Sequence, residues 1–221
     1  MNYFQAILFD FDGTLMDTTE LIIEAFKYTV LKHLNREITA EELYPSFGKP
    51  LIAALEELSP GHGQELIITY RQYTDQYHDQ MVTVFDQVPE TLEKLRQQKV
   101  KMAIVTSKMR SAVERGLDLF DLKPYFDALI AVEDTHIHKP YPEPVFRALE
   151  ILDTKPCHAI MVGDSPHDLK SAHQAGVKAA AVRWSSLPWE SIIAEKPEFI
   201  LNKMEDLIEI ITRDRQNPLV S

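Results

Sequence analysis

Residues 5–14 read QAILFDFDGT. The stretch 5–9 is a short apolar run that stops abruptly at Asp-Phe-Asp-Gly-Thr, the pattern of a buried strand delivering the chain into a turn. An extended segment alternates its side chains, so Asp10 and Asp12 are expected on one side and Phe9 and Phe11 on the other. Two carboxylates that close repel, and one is pushed toward its protonated form unless a cation sits between them. A hard divalent ion that takes oxygen ligands, most simply Mg²⁺, offsets the repulsion.

Downstream the texture changes. From about residue 19 to 82 three stretches carry helical spacing: Leu21, Ala25, Phe26, Val30 and Leu34; Leu51, Ala54, Leu55 and Leu58; Leu66, Ile67, Tyr70, Thr74, Tyr77 and Met81. No strand is expected among them. From about residue 83 onward, apolar runs at 101–106, 128–132, 159–163, 179–183 and 198–201 alternate with helix-like segments at 89–98, 110–120, 142–152, 166–175 and 203–211. Several of the latter carry Pro in the first turn, where its missing N–H costs nothing. This alternation is the signature of a parallel sheet covered by helices on both faces. The expected fold class is therefore α/β, a doubly wound (Rossmann-like) parallel sheet core with a small inserted α-helical cap domain. Residues 1–16 and 83–221 are assigned to the core and 17–82 to the cap, with hinges near 14–19 and 80–88. No internal repeat, low-complexity tract or flexible linker interrupts this plan.

Composition narrows the partners. The 221 residues carry 34 acidic and 23 basic side chains, a formal net charge of −11 that would repel nucleic acid and anionic membrane surfaces. A small anionic ligand would then need a bridging cation. The single cysteine, Cys157, offers no disulfide framework or zinc quartet, no run of 18 apolar residues suggests a membrane span, and a reducing cytoplasmic setting is expected. The seven glycines contain neither G-x-G-x-x-G nor G-x-x-x-x-G-K, so both common nucleotide cradles are absent.

In open α/β sheets ligands collect beyond the carboxyl ends of the strands. The residues that follow the apolar runs are Asp10 and Asp12; Thr106, Ser107 and Lys108; Lys139 and Pro140, reached through a loop; and Gly163, Asp164, Ser165, Pro166, His167 and Asp168. Carboxylates for a cation, a hydroxyl with nearby N–H groups for phosphoryl oxygens and a lysine for their charge are the parts that phosphoryl transfer requires.

DFDGT (10–14), VTS (105–107), Lys139-Pro140 and GDSPHD (163–168), in this order, resemble the four motifs of the haloacid dehalogenase (HAD) superfamily over essentially the whole chain. The resemblance implies an enzyme in which Asp10 is the nucleophile that becomes an aspartyl phosphate and Asp12 is the acid/base. It implies that Thr106, Ser107 and Lys139 bind the phosphoryl group, with Lys139 also holding Asp10. Mg²⁺ would be bound by Asp10, the backbone carbonyl of Asp12 and Asp164, with Asp168 in support. The insertion after the first motif resembles a C1-type helical lid, and Phe47-Gly48-Lys49-Pro50 stands about where such lids carry a specificity loop; Gly48 and Lys49 are the candidates there. From about residue 104 to 212 the text is similar to the HAD-type inorganic pyrophosphatases of Gram-positive bacteria (PpaX type) and, nearly as well, to the phosphoglycolate phosphatases. Pyrophosphate is the favoured substrate, with phosphoglycolate or a broader set of small phosphate compounds as alternatives and a monomer or weak homodimer as the expected state.

Other features weigh less. His136 and His138 form H-x-H and read as a polar loop, and His167 is left without a role. Tyr70, Tyr73 and Tyr77 read as packing of the cap, Cys157 as an inert small residue, and Glu205 to Glu209 as a solvated helix face. A receiver-type signalling domain also forms an aspartyl phosphate, but it needs no second acid two residues on and no helical lid. A phosphomutase shares the whole constellation and stays open.

Overall fold

A computed structural model describes residues 3–216 of the chain. The elements run, in order, β1 (Ala6–Phe9), β2 (Met16–Asp17), α1 (Thr19–Leu34), α2 (Ala40–Leu43), α3 (Leu51–Leu58), α4 (Gly63–Met81), β3 (Thr83–Val84), α5 (Val88–Gln97), β4 (Lys101–Val105), α6 (Arg110–Leu119), β5 (Ala128–Ile130), α7 (Glu143–Ile151), β6 (Ala159–Gly163), α8 (Pro166–Gln174), β7 (Lys178–Val182), α9 (Trp189–Ile193), β8 (Phe199–Leu201) and α10 (Asp206–Gln216).

Six strands form one parallel sheet in the order β5-β4-β1-β6-β7-β8. After β1 the chain builds outward through β4 to β5, then returns to β1's other side and builds outward through β6 and β7 to β8. The reversal of strand order therefore sits at β1, where the crevice of a doubly wound sheet opens. Strand alternation sorts the core into two layers. Ile7, Phe9, Met102, Ile104, Ile160 and Val162 face a cluster closed by α5, α6 and α10, through Leu92, Leu95, Val113, Leu117, Leu207 and Ile211. Ala6, Leu8, Ala103, Val105, Ala159 and Met161 face the other cluster, closed by α7, α8 and α9 through Val145, Ala148, Leu169, Ala172 and Ile192. Because both faces are covered, the central strands read as unbroken apolar runs.

The helices α1 to α4 gather around a third cluster of their own, including Ala25, Phe26, Val30, Leu43, Leu55, Leu66, Ile67 and Tyr70. Tyr70 and Tyr73 belong to this packing, and Tyr73 and Tyr77 stack with ring centroids 4.6 Å apart.

The structure departs from the sequence reading in several places. Four helices, not three, precede β3; the extra one, α2, is a single turn started by Thr39, whose hydroxyl accepts from Glu42 N while the Glu42 carboxylate accepts from Thr39 N. That reciprocal pair is the capping box. Residues 16–17 and 83–84 pair antiparallel as β2 and β3, so the expected hinge positions are joined by a two-stranded ribbon. The run 128–132 ends as a strand at Ile130 and continues into a 3₁₀ turn over Val132–Asp134. The last helix begins at Asp206 rather than 203, and the short α9 had no counterpart in the reading. Cys157 is exposed. Among the described residues no helix is long and apolar enough to cross a membrane.

Candidate active site

The carboxyl ends of β1, β4 and β6 lie side by side and bring three motifs together. Asp10 follows β1 directly and its N–H donates to the Val162 carbonyl at 2.9 Å, so its backbone still belongs to the sheet. The strand itself ends at Phe9, and from Phe11 the chain turns, with the Phe11 carbonyl accepting from Leu15 N and Met16 N. Asp10 and Asp12 nevertheless both line one cavity while Phe9 and Phe11 are buried in one cluster, as the alternation predicts.

Lys139 is the hub. Its ammonium donates to Asp10 Oδ1 at 2.8 Å, Asp168 Oδ1 at 2.5 Å and the Val105 carbonyl at 3.1 Å. An ammonium has three hydrogens to give, so all three are committed. Burial works against its charge, but the carboxylates of Asp10 and Asp168 outweigh that and raise its pKa. Asp168 is fully buried and its second oxygen accepts from Ser165 N at 3.1 Å and Ser165 Oγ at 2.6 Å. Ser165 stands at the start of α8, so the same contact fixes the helix to the site.

Asp164 completes the acidic group. One of its oxygens accepts from Ser185 Oγ at 3.1 Å. Gly13, in the left-handed region at φ +76°, passes so close that a Cβ there would stand 2.2 Å from Asp164 Oδ2. Only a residue without a side chain lets the first loop cover this carboxylate.

Asp10, Asp164 and Asp168 each offer an oxygen within 4.8 Å of the others. Fully ionised, three carboxylates against the single ammonium of Lys139 leave a net charge of −2 in a buried place. The pKa values answer this strain: Asp10 is pushed up to about 7, first by burial and then by the charge of Asp168, and Asp164 is raised for the same reasons. An all-oxygen donor set with surplus negative charge fits a hard divalent cation.

Asp12 is held apart from this group. Its carboxylate accepts from Lys108 Nζ at 2.8 and 3.0 Å and from Thr18 Oγ1 at 2.7 Å. Lys108 thus supplies a positive charge beside Asp12, while the carboxylate of Asp12 is not among the three that converge. Thr106 is buried at the end of β4, and its hydroxyl accepts from Lys108 N at 3.2 Å. Ser107 Oγ donates to the Gly48 carbonyl at 2.8 Å, tying the end of β4 to the helical insertion. Gly48 has φ +79°, and a Cβ there would lie 2.7 Å from Ser165 Oγ, so the same loop also lies against the start of α8. Lys49, expected to reach a ligand, lines the cavity over the site and is paired with Glu57 at 2.7 Å. His136 is exposed and takes no part in a cluster of possible metal ligands, and neither does His138, among the described residues.

A cavity of about 640 Å³ opens over these groups, with Asp10, Asp12, Thr106, Ser107, Lys108, Lys139 and Asp164 on one side and α1, α3 and α4 on the other. Three contributors escaped the sequence reading. Lys108 was visible in the Thr106-Ser107-Lys108 triplet but had no assigned partner. Thr18 and Ser185 carry no spacing signal that connects them to the motifs, and only the fold brings them in.

A doubly wound sheet with an acidic, lysine-bridged group and a threonine at the mouth of its central strands defines a hydrolase of the kind that handles phosphate. Residues 7–182 match the haloacid dehalogenase-like hydrolase family, and the chain belongs to it. Within that family it is a phosphatase-type enzyme. It is 48% identical over 93% of its length, and 94% of the other chain, to a protein of Caldanaerobacter subterraneus subsp. tengcongensis named provisionally as pyrophosphatase PpaX. It is 39% identical, over 94% of its own chain and 96% of the other, to pyrophosphatase PpaX of Bacillus mycoides. A solved structure of a haloacid dehalogenase-like hydrolase from Bacteroides fragilis, also named provisionally, superposes with a TM-score of 0.86 at 26% identity, covering 92% of this chain and 99% of that one.

Proposed function

We propose that the chain is a Mg²⁺-dependent phosphohydrolase that works through an aspartyl phosphate on Asp10 and whose substrate is inorganic pyrophosphate. The observation that carries the reaction is the buried group of Asp10, Asp164 and Asp168 around Lys139, opened to a cavity beside Asp12 and Thr106. The names borne by the 48% and 39% identical relatives support the substrate.

Asp10 Oδ2 attacks the phosphorus while Lys139 holds Oδ1, so the nucleophile presents one fixed oxygen. As the bond to the bridging oxygen breaks, Asp12 gives that oxygen a proton, and the leaving phosphate departs. Asp12, now a carboxylate, takes a proton from water; the hydroxide adds to phosphorus, Asp10 is released, and the second phosphate leaves. Lys108 and Thr18 position Asp12 for both transfers. Thr106 and Ser107 supply a hydroxyl and N–H groups to the phosphoryl oxygens. Asp10, Asp164 and the Asp12 carbonyl, with Asp168 in support, would hold Mg²⁺, which would supply positive charge where negative charge accumulates. Residues 17–82 serve as the lid, with Gly48 and Lys49 in the loop that rests on the core, and exclude water during the first step. The protein works in the cytoplasm, as a monomer or weak homodimer.

Initial rates of phosphate release at saturating Mg²⁺, on pyrophosphate, phosphoglycolate, sugar phosphates and nucleotides, test the substrate. Pyrophosphate is expected to give the highest kcat/KM; a clear lead for phosphoglycolate would replace it.

A further inference from the structure

Asp10, Asp164 and Asp168 converge, yet they are not held alike. Lys139 donates to Asp10 and to Asp168, and Asp168 accepts two further hydrogen bonds from Ser165. Asp164 has no share in this network. Among the described residues the one donor to its carboxylate is the Ser185 hydroxyl, 3.1 Å from Oδ2. The same hydroxyl lies 3.1 Å from the Asp164 carbonyl, so one serine reaches both the main chain and the side chain of the acid. Its single hydrogen can serve either oxygen, while its own oxygen accepts from Leu187 N at 3.1 Å.

The segment that carries Ser185 is itself anchored. β7 pairs with β6 so that Ala181 stands opposite Gly163, which brings the residues after both strands to one edge. Arg183 N donates to the Leu201 carbonyl at 2.9 Å, Trp184 Nε1 donates to the Thr14 carbonyl at 3.2 Å, and Leu187 is buried in the core. Gly13 packs against the same Oδ2 that Ser185 holds. A small hard cation demands its oxygens in nearly fixed directions, and a hydrogen bond from outside the ligand set is what keeps a carboxylate from turning away.

We propose that Ser185 is a positioning residue for the cation site: its hydroxyl holds the Asp164 carboxylate in the orientation in which it shares a divalent cation with Asp10. The proposal rests on the phosphohydrolase reading above and adds to it a residue that acts only through Asp164.

The test is the Kd of Mg²⁺ for the chelator-stripped full chain, measured by calorimetric titration without substrate, for the wild type, Ser185→Ala, Ser185→Gly, Ser185→Thr and Asp164→Asn. Loss of the hydroxyl in the Ala and Gly variants is expected to raise Kd by about tenfold or more, whereas Thr, which keeps it, should stay within about threefold of wild type. With pyrophosphate, the Mg²⁺ concentration for half-maximal rate should rise by the same factor in Ser185→Ala, while kcat at saturating Mg²⁺ falls by less than about threefold. A residue that merely stabilised the fold would lower the Tm of the stripped protein and move neither Mg²⁺ value. A Kd within about threefold of wild type in both the Ala and Gly variants would overturn the proposal and leave the cation site standing. No Mg²⁺ binding by the wild type, or binding by Asp164→Asn as tight as by the wild type, would overturn the cation site and the proposal with it.

Discussion

Replacing Lys139 with Met removes the ammonium that sits among three buried carboxylates while keeping most of the side-chain volume. Three hydrogen bonds disappear, two of them to carboxylates that are almost wholly buried. Removing one partner of a buried ion pair usually costs about 3–5 kcal/mol, since the surviving charge stays out of water. Here the cost should depend on pH. Asp10 and Asp164 have folded pKa values above those of an unfolded chain, so between about pH 4 and 7 the folded state holds protons that the unfolded state has released, and stability falls as pH rises through that window. Without Lys139 the carboxylates hold their protons to higher pH still, which widens the window. Urea unfolding followed by the fluorescence of Trp184 and Trp189, with chelator present, should therefore give a loss near the full ~3–5 kcal/mol at pH 8 and a distinctly smaller one at pH 5.5. A loss below ~1 kcal/mol at pH 8, or one equal at both pH values, would refute the view that Lys139 neutralises this acidic group.

Three other outcomes are expected. Gly13→Ala combines a φ of +76° with a Cβ 2.2 Å from Asp164 Oδ2, so a backbone cost of about 1–2 kcal/mol should be accompanied by a smaller Mg²⁺-induced rise in Tm, read by differential scanning calorimetry. Lys108→Met frees Asp12 of its cation; kcat should drop by about 10²-fold, and because the pair is partly exposed the unfolding free energy should change by less than ~1 kcal/mol. Mg²⁺ should stabilise the wild-type protein more at pH 8 than at pH 5, because protons compete for Asp10 and Asp164 at the lower pH; calorimetry at both values checks the sign.

Much of this architecture was legible because strong local patterns and the sheet rule agree. The apolar runs locate every strand of the parallel sheet to within a residue or two, and the residues just after the runs, with Lys139 one loop further on, gather Asp10, Thr106, Lys139 and Asp164. The β2–β3 ribbon was not legible, since two residues per strand are too few to display a period and the pairing joins positions far apart in the chain. Helix α2 escaped for the opposite reason: its signal was a cap, Thr39 with Glu42, and not a hydrophobic stripe. Asp10 and Asp12 share the cavity as alternation predicts, but the pairing of Asp12 with Lys108 and Thr18, apart from the three converging acids, leaves no signal in the spacing. Lys49 lines the cavity, while its pairing with Glu57 on the next helix leaves no signal in the spacing. Such side-chain choices depend on which elements the fold sets side by side, and they leave no periodic trace.

The central claim is the covalent step on Asp10. Acid-quenching the Mg²⁺-loaded enzyme during turnover of pyrophosphate, followed by peptide mass spectrometry, should find one phosphoryl group on the peptide that contains Asp10 and none on that peptide from Asp10→Asn, which should release no phosphate. Turnover by Asp10→Asn at the wild-type rate, or a phosphoryl group recovered on another residue, would contradict the account.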